Sequence, residues 1–255
     1  MANTNTTTSA SARPKITLYV DVVSPFAYLG YYMLRHHPIF SSSSPSKVEI
    51  TYTPIFLGGL MQQCKNITPI NITNKATYID KERRRWMKQF NIPMRLNFPQ
   101  GFPMETPTLQ IQRFLTALKM SHPQHFVTAL DALYAAFWAP GDAETADAKV
   151  WQVPVFAELL RKATGIPAHV VDECLTKMAG KDVKAELSAN TQQAFENGAF
   201  GLPWFQCETV NGEREGFWGF DHVGQVVRFL DLKGNGSGSG SGSEDGIQGE
   251  LRSLL

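Results

Sequence analysis

The chain is poor in cysteine, in surplus charge and in long apolar runs, and each shortage closes off a class of function. Its three cysteines, Cys64, Cys174 and Cys207, are odd in number and far apart in 255 residues. That pattern argues against a disulfide framework and against a Cys-based zinc site, so no metal is expected and a reducing compartment, the cytoplasm, is the simpler expectation. Lys and Arg number 24 against 23 Asp and Glu, a net charge of +1. A chain so balanced has no bulk attraction for phosphate backbones or anionic lipid, and nucleic acid is not expected as a partner. The longest apolar runs reach only about eight residues, far below the ~20 that cross a bilayer, so no membrane span is expected. Residues 1 to 14 lack the apolar centre of a secretory signal and are expected to be disordered. Their Ser/Thr content, single Arg and absence of acids give a weak likeness to a mitochondrial presequence. The final Ser-Leu-Leu loosely matches a peroxisomal address, so mitochondrion and peroxisome stand as alternatives to the cytoplasm. Asn66-Ile67-Thr68 and Asn71-Ile72-Thr73 match the glycosylation pattern, but without a signal peptide both are read as chance.

What is present in quantity is apolar residues, 43% of the chain, enough for one sizeable core. Between residues 15 and 232 the hydrophobic period divides the chain into three parts. The first is a βαβ pattern: a buried strand over Ile16 to Val23, a helix over Pro25 to His37, and an alternating strand over Val48 to Phe56. The middle is helical in pieces from about Ala76 to Asn197. It is broken at 97 to 107, at Pro123, at 139 to 142 and at Gly165-Ile166-Pro167. Apolar residues such as Phe114, Leu115, Leu118, Leu130, Leu133, Tyr134 and Phe137 recur there at helical spacing and are expected to be core. The last part returns to β, with strands Pro203 to Val210 and Glu213 to Trp218 around Asn211-Gly212, which predicts a type I′ hairpin. A closing helix is expected over Asp221 to Leu232. The order βαβ, helices, ββα predicts an α/β protein: a thioredoxin-like fold over 15–75 and 198–232, with a helical domain inserted at 76–197. The Gly/Ser-rich residues 233 to 255 are expected to form a flexible tail.

In such a fold the reactive group sits where the first strand turns into the first helix. Here that turn reads Ser24-Pro25-Phe26-Ala27, without the Cys-x-x-Cys of thiol-disulfide oxidoreductases, so redox exchange by the protein's own sulfur is excluded at this site. Ser24 is at the N-cap position and Pro25 at the first helical position. One reading is a plain helix cap. The other is a hydroxyl that donates to a thiolate brought by a cofactor, at a helix end whose dipole also favours that anion. Two further stretches belong with it. In Phe200-Gly201-Leu202-Pro203-Trp204 a cis Pro203 would leave Leu202 free to pair like a strand with a peptide-shaped ligand. In Trp218-Gly219-Phe220-Asp221-His222 an acid at a helix start could hold one end of a zwitterion.

These stretches resemble the kappa-class glutathione transferases and the related 2-hydroxychromene-2-carboxylate isomerases, which share a DsbA-like fold. The likeness spans nearly all of residues 15 to 232. It is carried by "DVVSPFAYLG" at 21–30, "FLGGLMQQCKNITP" at 56–69, "GAFGLPWF" at 198–205 and "FWGFDH" at 217–222. The resemblance implies glutathione as the cofactor, with Ser24 at its sulfur, Asn66 and Lys75 on the tripeptide, Leu202 and Pro203 giving the backbone pairing, and Asp221 on the γ-glutamyl ammonium. It also implies a homodimer. Phe220 stands at a cofactor-binding position where the family tends to have a small hydroxyl residue, which removes one contact. Phe26, Tyr28, Phe102, Trp204 and Trp218 are the expected lining of a pocket for a hydrophobic electrophile. The expected activity is a glutathione-dependent transferase or isomerase. Two alternatives stay open: a glutathione-independent isomerase, and a non-catalytic ligand-binding protein on the same scaffold.

Overall fold

A computed structural model describes residues 13–41, 43–44, 47–139 and 148–232. The expectations for residues 1–12, for the break beyond Ala139 and for the tail from residue 233 lie outside the described residues. Four strands form one sheet in the order β2-β1-β3-β4. β1 (Lys15–Val20) lies inside it, parallel to β2 (Glu49–Pro54) and antiparallel to β3 (Trp204–Glu208), which pairs antiparallel with β4 (Arg214–Trp218). The register sets Leu18 opposite both Tyr52 and Phe205. Side chains alternate along β1 as a pleated strand requires. Ile16, Leu18 and Val20 enter the main core, and Tyr19 enters a second cluster with Ile55, Leu60, Ala194, Leu202 and Trp204. Burial on both faces explains why β1 reads as a near-continuous apolar run.

Helix α1 (Pro25–His36) follows β1, and α2 (Leu57–Gln63) follows β2. Then come α3 (Lys75–Gln89), α4 (Leu109–Ser121), α5 (Phe126–Trp138), α6 (Val153–Ala163), α7 (Ala168–Lys177) and α8 (Lys181–Glu196); α9 (Val223–Phe229), after β4, is the last helix among the described residues. The breakers act where they stand: α4 stops before Pro123, and α6 stops before Gly165. Phe114, Leu118, Leu133 and Phe137 from α4 and α5 share one buried cluster with Ile16 and Leu18 of the sheet and Val223 and Val226 of α9. The helices between β2 and β3 are thus joined to the sheet by a continuous core.

Several local features differ from expectation: the strands expected over 48 to 56 and 203 to 210 are shorter, Glu49–Pro54 and Trp204–Glu208. β1 ends at Val20 rather than Val23, because residues 21 to 24 form a turn in which Ser24 N–H donates to Asp21 O at 3.1 Å. Val22 is nonetheless fully buried, and its β-branched, apolar character is what extended the expected strand. The hairpin is not type I′: Thr209 pairs with Glu213, Gly212 N–H donates to Thr209 O, and only Gly212 of the Asn-Gly pair has positive φ, 84°. With Glu208 opposite Arg214 and Thr209 N–H bonded to Glu213 O, the loop is three residues, 210 to 212, which takes a single left-handed residue after its turn. The closing helix begins as a 3-10 turn, Phe220–His222, before α9.

Candidate active site

The turn after β1 is held rigidly before any ligand is considered. Asp21 is fully buried, and its Oδ1 accepts from Val23 N–H (3.2 Å), Thr108 Oγ1 (2.7 Å) and Gln112 Nε2 (3.0 Å), while its Oδ2 accepts from Leu57 N–H (3.0 Å). Burial pushes this carboxyl upward and the four donors pull it back. The next carbonyl, Val22 O, accepts from Trp138 Nε1 at 2.7 Å. Side chains or amides at the starts of α2 and α4 and the end of α5 therefore fix the three residues before Ser24.

Ser24 is the N-cap of α1, and its Oγ accepts from Ala27 N–H at 3.1 Å. That bond occupies a lone pair of the hydroxyl and leaves its proton to be donated elsewhere. The cap reading and the donor reading are compatible in one side chain. Among the described residues no histidine lines the space in front of Ser24: His36 and His37 lie at the far end of α1, and His222 lies beside it without lining it. The three cysteines are free. Burial pushes all of them up, Cys174 to about 11, so none is poised as a thiolate at neutral pH.

In front of Ser24 lies a cleft of about 400 Å³, inside the size range of small-molecule sites. Ser24, Asn66, Lys75, Leu202, Pro203 and Asp221 all border it. Leu202–Pro203 is a cis peptide, and among the described residues neither backbone group of Leu202 has a hydrogen-bond partner. Asn66 Nδ2 donates to Phe200 O at 2.7 Å, tying the end of α2 to the Leu202 loop. Gly219 N–H donates to Pro203 O at 3.0 Å, which ties the Asp221 turn to the same loop. Gly219 has φ of 98°, and a Cβ there would come within 2.3 Å of Asp221 Oδ1, so only glycine allows this placement.

Phe26, Phe102 and Trp218 also border the cleft, but Tyr28 and Trp204 do not. Tyr28 is buried, with its hydroxyl donating to Pro93 O and its ring against Tyr134. The Trp204 ring lies over Gly216 in the second core cluster; a Cβ at Gly216 would sit 2.2 Å from it. Both aromatics are scaffold, because one faces inward from α1 and the other lies flat across the hairpin. Phe220 borders the cleft, yet it is only 1% exposed, and its ring packs on Trp86 and Phe90 at 5.6 and 5.5 Å between centroids.

Sequence reasoning missed the face of α3. Beyond the expected Lys75, the residues Ile79, Glu82 and Trp86 line the cleft, at the i, i+4, i+7, i+11 spacing that is itself the sequence signal. It also left Asp21 without a role, although an acid inside an apolar run was the signal.

Residues 15–231 match the family model described as a DSBA-like thioredoxin domain. The chain is similar to "Glutathione S-transferase kappa 1" of Homo sapiens, 26% identical over 222 residues that cover 86% of this chain and 91% of that protein. It is similar also to "Glutathione s-transferase kappa 2" of Caenorhabditis elegans, 28% identical over 225 residues, 86% of this chain and 92% of the other. Among solved structures, 2-hydroxychromene-2-carboxylate isomerase superposes with a TM-score of 0.62 at 16% identity, covering 85% of this chain and 94% of that one, a likeness of fold.

Proposed function

The chain belongs to the DSBA-like thioredoxin domain family, and from that premise we propose that it is a glutathione-dependent transferase or isomerase acting on a hydrophobic electrophile. The observation that carries the reading is Ser24 Oγ, an accepting helix cap with its proton still to give, set at the mouth of a cleft that also holds the unpaired backbone of Leu202. Glutathione, when bound, supplies a thiolate nucleophile. Ser24 donates to that sulfur, and the α1 N-terminus favours its anionic form. Leu202 pairs with the cysteinyl backbone, Asp221 takes the ammonium end, Lys75 takes the glycyl carboxylate end, and Asn66 contacts the tripeptide. Phe26, Phe102 and Trp218 receive the electrophile. The glutathione-independent alternative rests on Phe220, which lacks the hydroxyl expected at that position; its ring packs against Trp86 and Phe90, so what it takes from glutathione is that one contact.

Titration calorimetry with reduced glutathione tests the reading. Wild type is expected to bind, and Asp221→Ala to bind about tenfold more weakly, the order expected for losing a charge-assisted hydrogen bond. Ser24→Ala is expected to keep most of the affinity while the bound thiol titrates at higher pH, read from thiolate absorbance. No heat at millimolar glutathione with wild type overturns the proposal. Following an unsaturated substrate by mass then separates the two activities: conjugation adds the mass of glutathione, and isomerisation leaves it unchanged.

A further inference from the structure

We propose that Arg83, a buried cation outside the cleft, is a positioning residue that shapes the electrophile half of the cleft and so sets substrate preference. The inference rests on the glutathione-dependent reading above for the name of that half, and on geometry for everything else. Between the end of α3 at Gln89 and the start of α4 at Leu109 the chain contains no helix or strand, yet this stretch supplies Phe98, Phe102 and Pro103 to the cleft wall. A wall of loop backbone needs ties from elsewhere to hold a shape.

Arg83 supplies them. It is 0% exposed. Its Nη1 donates to Arg95 O at 2.6 Å and its Nη2 to Leu96 O at 2.6 Å, while Nε and Nη2 reach Asp80 Oδ1 at 3.3 and 2.7 Å. Arg84 reinforces the same carboxylate and the same Leu96 carbonyl, at 2.7 and 2.8 Å. The Arg83 guanidinium also sits 4.6 Å from the centre of the Phe98 ring, and Phe98 stacks on Phe102 at 4.8 Å with the planes 5° apart. One planar fork therefore grips two successive carbonyls and the ring that supports the wall, a combination that an ammonium cannot reproduce. Trp138 then keys the wall to the reacting end: it meets Phe102 edge-on at 5.4 Å and donates from Nε1 to Val22 O, two residues before Ser24. A buried cation is costly unless fully satisfied, and an apolar side chain would fill a core position at no such cost. What the arginine adds is the placement of residues 95 to 103.

The test separates placement from mere support of the fold. Arg83→Lys keeps the charge beside Asp80 but not the fork, and Phe102→Leu alters the wall directly. Both variants, the double variant and wild type are titrated with N-(2,4-dinitrophenyl)glycine, an aromatic probe whose nitroaryl ring quenches tryptophan fluorescence at the cleft, where Trp86 and Trp218 lie, and separately with glutathione. The expected result is an approximately tenfold rise in the aromatic probe's Kd for each single variant, with little further rise in the double variant because both act through one wall. Glutathione Kd stays within about twofold. With a nitro-activated aryl halide as substrate, Arg83→Lys raises KM for the halide while kcat holds. An unchanged probe Kd in Arg83→Lys overturns the proposal, as do fully additive effects or a parallel loss of glutathione affinity. A wild type that binds the probe but not glutathione defeats the proposed function and leaves this comparison decided by the probe alone.

Discussion

Phe220 occupies the position at which the resemblance leads one to expect a small hydroxyl residue, and its ring is part of the core instead. Restoring the hydroxyl should therefore not repair a binding contact. Phe220→Ser is expected to lose about 3–5 kcal/mol of stability, the range for emptying a buried phenylalanine site. Urea unfolding measures it; an unchanged midpoint together with tighter glutathione binding would show that the ring is not structural. Ser24 makes the complementary point. As a cap alone it would be worth about 1 kcal/mol, so any larger effect on catalysis than on stability belongs to the hydroxyl proton. From sequence, the placement of Ser24 and Asp221 at turns that open helices was legible, because such turns announce themselves through Ser-Pro and Gly-x-Asp. Tyr28 and Trp204 were not, since position along a strand or helix does not say which way an aromatic ring turns. Tyr28 follows the cleft residue Phe26 by two and so lies on a different side of α1.

At the scale of elements, the order of strands and helices followed from changes of hydrophobic period, whereas local geometry depended on pairing that sequence does not display. The Asn-Gly pair marked the hairpin correctly, but its turn type was decided by the register of β3 on β4, which the Thr209–Glu213 bond extends to leave three residues in the loop. α3 shows the same limit. Its cleft-lining face could be read from spacing, but its Arg83 face has meaning only once residues 95 and 96 are seen against it. Burial alone would raise the Asp80 carboxyl, but the bonds and charges of Arg83 and Arg84 outweigh it and hold the group below its ordinary 3.8. A carboxylate whose folded pKa is depressed adds stability above its unfolded pKa and loses it as pH falls through the folded one. The stability difference between wild type and Asp80→Asn should accordingly be flat above about pH 5 and narrow below about pH 4. Unfolding curves at stepped pH check this, and a gap that persists unchanged in acid would mean that Asp80 is not held as an ion by the arginines.

For the molecule as a whole, the shared cluster of buried residues matters more than the sequence division into a thioredoxin-like part and a helical part. Phe114, Leu118 and Phe137 pack in the same cluster as Ile16, Leu18 and Val226. Two bodies with separate cores would melt separately, so this chain is expected to unfold in one transition, with calorimetric and van't Hoff enthalpies equal. Two resolved transitions would show that the helices between β2 and β3 are energetically independent. The ties on the turn after β1 extend the same reasoning to modularity. The Asp21 carboxylate takes two of its four donors from the start of α4, and Val22 O takes its donor from the end of α5. A minimal version of this protein, cut back to sheet, α1 and α9, would leave Asp21 with Val23 N–H alone of its four donors and Val22 O without its indole, directly behind Ser24. The helical segment is thus not an accessory that an engineer could trim or exchange while keeping the reactive turn, because part of that turn's foundation is written into residues 108 to 138.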